Sequence, residues 1–304
     1  MKHLLKLLDL TTEEIIDILN LADQLKYESK HGIPHHHLKG KTLGMIFQKS
    51  STRTRVSFEV GMVQLGGYPL FLSANDLQIG RGEPVQDTAR VLSRFLDAIM
   101  IRTFAQQEVE DLAKYGAIPV INGLTDSFHP CQVLADLMTI REHKGKLEGL
   151  KLCYIGDGNN MANSLTVGGL KTGMEVSIAT PKGYEPAGTV LDFAKGFGEK
   201  FKLVNDIFEA AKNADVVVTD VWASMGQEGE AEARQKAFAG FQVNKELLKA
   251  AKPDVMVQHC LPAHREEEIT TEVFEMHIDE ILDEAENRLH AQKAVLVKLL
   301  NPDV

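Results

Sequence analysis

The chain has 304 residues, with 33 lysines and arginines against 43 aspartates and glutamates, and a formal net charge of −10. With 44% hydrophobic and 25% charged residues it reads as an ordinary soluble globular protein, long enough for two cores. The acidic balance, without any Lys/Arg-rich run, excludes a nucleic-acid or anionic-membrane partner, and no apolar run reaches the length of a membrane span.

The N-terminal segment lacks a signal-peptide core and starts a helix, with Thr11 and Glu14 as its capping box and Ile15, Ile18, Leu19, Ala22 and Leu25 as one apolar face. His35-His36-His37 has no fourth ligand at metal spacing, so it is expected to be a solvated linker. A short buried strand over 43–47 then leads into Ser51-Thr52-Arg53-Thr54-Arg55. The repeat of Val56, Val60 and Val63 predicts that these five residues open a helix that stops at Gly66-Gly67. Hydroxyls, two guanidinium groups and free N–H groups converging on one helix N-terminus suit an anion, above all a phosphate. A merely capped, solvated first turn is the plainer alternative, but two arginines beside the positive end of a helix dipole are unfavourable without an anion.

Further strands are predicted over 68–72, 98–101 and 118–121, and a second series over 152–155, 176–179, 202–204, 216–219 and 255–258. Amphipathic segments such as 87–95, 132–143 and 279–300 separate or follow them. Short apolar strands alternating with helices imply an α/β chain of two doubly wound parallel-sheet domains with a cleft between them, joined by long helices. A polar, glycine-bearing break over 143–149 sets the expected boundary. The domains are then 1–145 and 146–279, with a C-terminal helix over 280–304 packing back on the first. The polar segment 223–236, with Gly226 and Gly229, is either a mobile lid or a solvated connector. On composition alone Gln78 lies in an exposed turn.

Ligands of open α/β sheets bind beyond the carboxyl ends of the strands. The unusual residues gather there: Arg102, His129-Pro130-Cys131-Gln132, Gly156-Asp157-Gly158-Asn159-Asn160, Asp220-Val221-Trp222-Ala223-Ser224-Met225-Gly226 and His259-Cys260-Leu261-Pro262. Gly156 and Gly158 invite a dinucleotide reading, and with it an NAD-dependent dehydrogenase as the rival of another class. The third glycine position is Met161, however, and the next strand ends in Thr180-Pro181 without an acidic residue for a ribose. Three scattered cysteines, Cys131, Cys153 and Cys260, suit a reducing cytoplasm rather than a disulfide framework. Cys260 is open to two readings, an inert buried thiol or a group that handles a proton.

Ser-Thr-Arg-Thr-Arg, His-Pro-Cys-Gln, Asp-Val-Trp-Ala-Ser-Met-Gly and His-Cys-Leu-Pro, in this order, resemble the ornithine branch of the aspartate/ornithine carbamoyltransferase family. The resemblance runs over nearly the whole chain to Glu286-Asn287-Arg288. It implies transfer of a carbamoyl group from carbamoyl phosphate to the δ-amine of ornithine; a carbamoyltransferase for another amine, such as putrescine, is the near alternative. By similarity Ser51, Thr52, Arg53 and Thr54 hold the phosphate, while Arg102, His129 and Gln132 contact the carbamoyl end. Asn160, Asp220, Ser224 and Met225 fall at ornithine. Cys260, Leu261 and Arg288 match the remaining carbamoyl phosphate positions, with Arg102, His129, Cys260 and Arg288 the catalytic set. Gln78 matches a family loop that reaches into a neighbouring subunit of a homotrimer with shared active sites. No metal or organic cofactor is implied, and arginine biosynthesis in the cytoplasm is the expected setting. One departure is local: after His264-Arg265 the family commonly has glycine, and this chain has Glu266.

Overall fold

Short aliphatic runs bounded by glycine, proline and polar turns fold into two all-parallel sheets. The computed structural model describes residues 1–78, 82–224, 226 and 228–303. The first sheet contains β1 (Thr42–Phe47), β2 (Tyr68–Ser73), β3 (Ala98–Arg102) and β4 (Val120–Leu124) in the order β2-β1-β3-β4. The second contains β5 (Lys151–Ile155), β6 (Glu175–Ala179), β7 (Phe201–Val204), β8 (Val216–Thr219) and β9 (Met256–His259) in the order β7-β6-β5-β8-β9. All five residues of β3 and four of the five in β5 are buried, as strands covered on both faces must be. The doubly wound α/β reading is therefore the observed architecture.

The chain divides into unit 1, Met1–Ala135 with Asn287–Val304, and unit 2, Asp136–Glu286. It passes from one unit to the other inside two continuous helices, Pro130–Lys144 and Ile278–Leu300. Ile46, Ile99, Ile101, Leu112 and Val120 centre one core of unit 1, and Ile155, Val217, Leu247, Val257 and Ile281 that of unit 2. Each sheet reverses its strand order once, between β1 and β3 and between β5 and β8. Those reversals open the crevices in which α/β sheets take ligands. No described helix is long and apolar enough to cross a membrane.

Three local expectations change. The fourth strand begins at Val120 rather than residue 118, because Pro119 has no N–H to give the ladder and contributes only its carbonyl, to Ile99 N at 2.9 Å. The helix Thr52–Gln64 forms, but Val56, Val60 and Val63 are exposed, and its buried positions are Thr54, Phe58, Gly61 and Met62. His35 is buried rather than solvated; its Nδ1 meets the Ile33 carbonyl at 2.9 Å and its Nε2 meets Lys293 Nζ at 3.0 Å.

Candidate active site

At the crevice of the first sheet, β1 ends at Phe47 and β3 at Arg102. Ser51 caps the following helix, its Oγ accepting from Thr54 N at 3.2 Å. Thr54 is fully buried, and its hydroxyl oxygen accepts from Arg102 Nη1 at 3.3 Å and Arg288 Nη2 at 2.9 Å, while Ser51 Oγ lies 3.2 Å away. One threonine thus fixes two guanidinium groups that come from a strand end and from a helix far along the chain. Arg53 is half-buried beside it and Thr52 is exposed. The second guanidinium of the signature is elsewhere: Arg55 pairs with Glu59 at 3.0 Å and stacks 3.7 Å over the Phe71 ring. The positive cluster is therefore built from Arg53, Arg102 and Arg288, not from Arg53 and Arg55.

His129 and Gln132 are buried at the start of the helix Pro130–Lys144. Burial, and after it the charges of Arg288, Arg102 and Arg53, hold the His129 imidazole well below its ordinary range, so it is neutral at physiological pH. A neutral ring gives one N–H and one acceptor without adding charge to three guanidinium groups. Cys131, between them, donates to the Asn122 carbonyl at 3.4 Å, and burial pushes its thiol up to about 12, which makes it a packing residue. Gln78 is exposed, its carbonyl accepting from Glu83 N at 3.1 Å.

In unit 2 a second network stands at the ends of β5, β8 and β9. Asn159 caps the helix Asn160–Lys171, accepting from Met161 N at 2.9 Å and Ala162 N at 3.3 Å, and its amide donates to Asp220 Oδ2 at 2.9 Å. The other oxygen of Asp220 accepts from Val221 N at 2.8 Å and from Cys260 Sγ at 3.2 Å. Burial first, then the carboxylates of Asp220 and Glu284, raise the Cys260 thiol well above its ordinary value. It stands as a protonated donor to Asp220 rather than a thiolate base. Asn160 is buried at the first turn of its helix, and Ser224 is half-buried four residues beyond Asp220. Met225 lies outside the described residues.

Sequence reasoning passed over several partners. Asn159 and Tyr154, whose hydroxyl lies 3.4 Å from Asn159 Oδ1, complete the Asp220 network; an Asn immediately before a helical run was the available signal for the first. Asp157 forms a buried ion pair with Arg234 at 2.7 Å. His259 accepts Leu261 N at its Nδ1 (2.9 Å), so its Nε2–H donates to the buried Glu268 (2.9 Å). This clasp holds Leu261, beside Cys260, at φ +59, a conformation costly for a branched residue. Glu266 has φ +69, so the turn keeps the left-handed geometry that glycine favours; Glu266 N bonds to Ile269 O and its carboxylate accepts Thr271 N, both at 2.8 Å. Among the described residues His264, Glu267 and Glu268 could together offer ligand atoms to a cation, a grouping common among exposed acidic residues that hold none.

Gly158 answers the dinucleotide reading. A Cβ there would meet the backbone of Glu185 and Pro186 at 2.3–2.4 Å, and Gly158 N donates to Tyr184 O at 2.8 Å. The glycine admits the protein's own loop, not a pyrophosphate.

The domain described as the aspartate/ornithine carbamoyltransferase carbamoyl-P binding domain matches residues 2–142, and the corresponding Asp/Orn binding domain matches residues 148–299. An ornithine carbamoyltransferase of Carboxydothermus hydrogenoformans is 59% identical over 98% of this chain and 97% of its own. The solved ornithine carbamoyltransferase of Pyrococcus furiosus superposes with a TM-score of 0.94 at 57% identity, covering 98% of this chain and 97% of that one. The anabolic enzyme of Campylobacter jejuni gives 0.93 at 45% identity, covering 99% and 100%. A match to both domain types, sustained at this identity from end to end, places the chain in the aspartate/ornithine carbamoyltransferase family.

Proposed function

We propose that the chain transfers the carbamoyl group of carbamoyl phosphate to the δ-amine of L-ornithine, giving L-citrulline and phosphate in arginine biosynthesis. The observation that carries the proposal is the buried Thr54 hydroxyl, joined to Arg102 and Arg288 next to a neutral His129. Ser51, Thr52, Arg53 and Thr54 hold the phosphate at the helix N-terminus, where N–H groups and guanidinium forks favour a dianion. Arg102, His129 and Gln132 donate to the carbonyl oxygen as it gains charge in the tetrahedral transition state, and Arg288 lies near the departing phosphate oxygen. Leu261 takes its family place at the carbamoyl group. Asn160, Asp220, Ser224 and Met225 take ornithine, Asp220 pairing with a cationic amine.

The nucleophile must be the neutral δ-amine, which at a lysine-like pKa of about 10.4 is only about one part in a thousand at about pH 7.4. Asp220 paired with the amine favours the ammonium, so the neutral form must be gained against that charge. The amine nitrogen forms the new bond to the carbamoyl carbon, the bond from that carbon to the phosphate oxygen breaks, and the amine proton leaves with the phosphate. Because the Cys260 thiol is already protonated and donates to Asp220, it serves as a relay or a tether in this scheme rather than as the terminal base.

A homotrimer is the assembly we infer, with Gln78 reaching the neighbouring site. The exposed Val56, Val60 and Val63 stripe beside the exposed Tyr68 and Phe71 of edge strand β2 supports it, as an apolar surface that calls for cover. A reducing compartment such as the cytoplasm suits the three free thiols. The function is tested by offering ornithine, putrescine, aspartate and N-acetylornithine with carbamoyl phosphate to the purified protein. Ornithine is expected to win in kcat/KM by about a hundredfold or more, since a site built to pair with both polar ends of a substrate rejects analogues lacking one. Comparable turnover of putrescine would remove Asn160 from the site.

A further inference from the structure

Arg234 fastens the segment that follows Asp220. This residue, in the helix Ala231–Ala237, is buried, and its guanidinium has three acceptors, one after β5, one after β8 and one at the cap of its own helix. Nη1 donates to Asp157 Oδ2 at 2.7 Å and to the Trp222 carbonyl at 2.9 Å; Nε donates to Glu230 Oε2 at 3.0 Å. The same group lies 5.2 Å from the Tyr184 ring, and Tyr184 and Trp222 both pack on Phe238. Trp222 stands midway between Asp220 and Ser224, and Asp157 is two residues before Asn159, which itself bonds Asp220. One side chain therefore ties the turn after β8 to the turn after β5.

Its charge has a second effect. Asp157 is buried and faces Arg234, the Gly158 N–H and Asp220, and both carboxylates bear on the Tyr154 hydroxyl. Burial and Asp220 push the Asp157 carboxyl up, while Arg234 holds it down. Without Arg234, two carboxylates would share one poorly solvated region with no cation between them, and a proton would enter at higher pH.

We propose that Arg234 is a positioning residue for the amine substrate: it sets the Asp220–Ser224 segment against the Asp157–Asn160 turn and neutralises Asp157, so that Asp220 alone offers its charge to the substrate ammonium. The inference rests on the carbamoyl-transfer reading above. Glu230 and Tyr184 steady the guanidinium but lie outside the Asp157–Asp220 pair.

The test uses the full-length enzyme and whichever amine the wild type turns over, so that failure of the ornithine assignment and failure of Arg234 are read separately. In Arg234→Met the amine KM is expected to rise about ten- to hundredfold, as when one partner of a buried charge pair is removed, with the carbamoyl phosphate KM within about twofold. The acid limb of the amine kcat/KM profile is expected to move up by about one pH unit, and Asp157→Asn in the same chain to return it. Arg234→Lys keeps the charge but not the fork, so the acid limb should stay while KM rises by about a few-fold. A purely structural role would not be reversed by Asp157→Asn. The proposal is overturned by an unmoved acid limb in Arg234→Met, or by equal losses for both substrates. If that variant does not fold, an Arg234→Lys amine KM equal to wild type overturns it.

Discussion

Thr54 joins two of the charged residues of the first network through one oxygen. Its hydroxyl oxygen accepts from both Arg102 and Arg288. Thr54→Val preserves the shape and removes one acceptor from each of two buried guanidinium groups. Hydrogen bonds to charged groups are worth about 1.5–3 kcal/mol, so kcat/KM should fall about ten- to hundredfold with the fold intact, and Thr54→Ser should recover most of it. Steady-state kinetics within twofold of wild type for Thr54→Val would mean the arginines are held by other groups. Lys293 offers a different reading at this scale. Its ammonium is fully buried and meets Ser29 Oγ at 2.7 Å, Gln64 Oε1 at 3.0 Å and His35 Nε2 at 3.0 Å, with Glu28 near and His37 bearing on His35. Burial lowers Lys293 from 10.5 to about 8, and lowers His35 as well. The unfolded chain therefore binds both protons more tightly. Stability should fall as pH drops below the unfolded histidine value of about 6.5, and should gain as pH rises from about 8 toward about 10.5. Melting temperatures of the wild type, Lys293→Met and His35→Gln across that range test this; curves that run parallel would remove both groups from the balance. The Thr54–Arg288 bond spans 234 positions and has no local pattern to announce it, whereas the hydroxyls and Arg53 of the signature were legible because they share one helix turn. Arg55, in the same turn, was not separable from Arg53 until Glu59 and Phe71 were seen to claim it.

At the scale of elements, alternation of short apolar runs with helical periods was enough to find both sheets, since strands covered on two faces have few other readings. Edges were less legible: Pro119 delays β4 and Gly123 lets it pass Met100, where a Cβ would come within 2.6 Å of the sulfur. The helix Thr52–Gln64 shows the deeper limit. Its valine stripe faces away from the core, while Gly61 is buried where an added Cβ would lie only 3.2 Å from Lys293 Cγ. Periodicity reports a face that avoids water without saying whether the cover comes from the same chain. That ambiguity becomes a test. Val60→Asp places a charge in the middle of the exposed stripe and touches none of the Thr54, Arg102 and Arg288 contacts. Light scattering should give a smaller particle than wild type at about the same fold content, since a charge at an interface core is costly. An unchanged mass would move the proposed contact to another surface.

For the molecule as a whole, the formal charge of −10 and the trio of Arg53, Arg102 and Arg288 oppose each other: an acidic protein keeps a small positive cluster. The total charge hides it, and only the clustering of residues from three parts of the chain makes it. The same clustering has a consequence in time. Unit 1 is made of the first 135 residues and the last segment from Asn287 on, with all of unit 2 between them. A ribosome delivers the segment from Asn287 on only after all of unit 2, so Thr54 waits for Arg288, and the Ser29, His35 and Gln64 cradle waits for Lys293, until unit 2 has been made. Unit 2 has its strands in hand earlier. A nascent or prematurely terminated chain thus carries the helix Thr52–Gln64 without the Arg288 guanidinium, and unit 1, begun before unit 2, is finished after it.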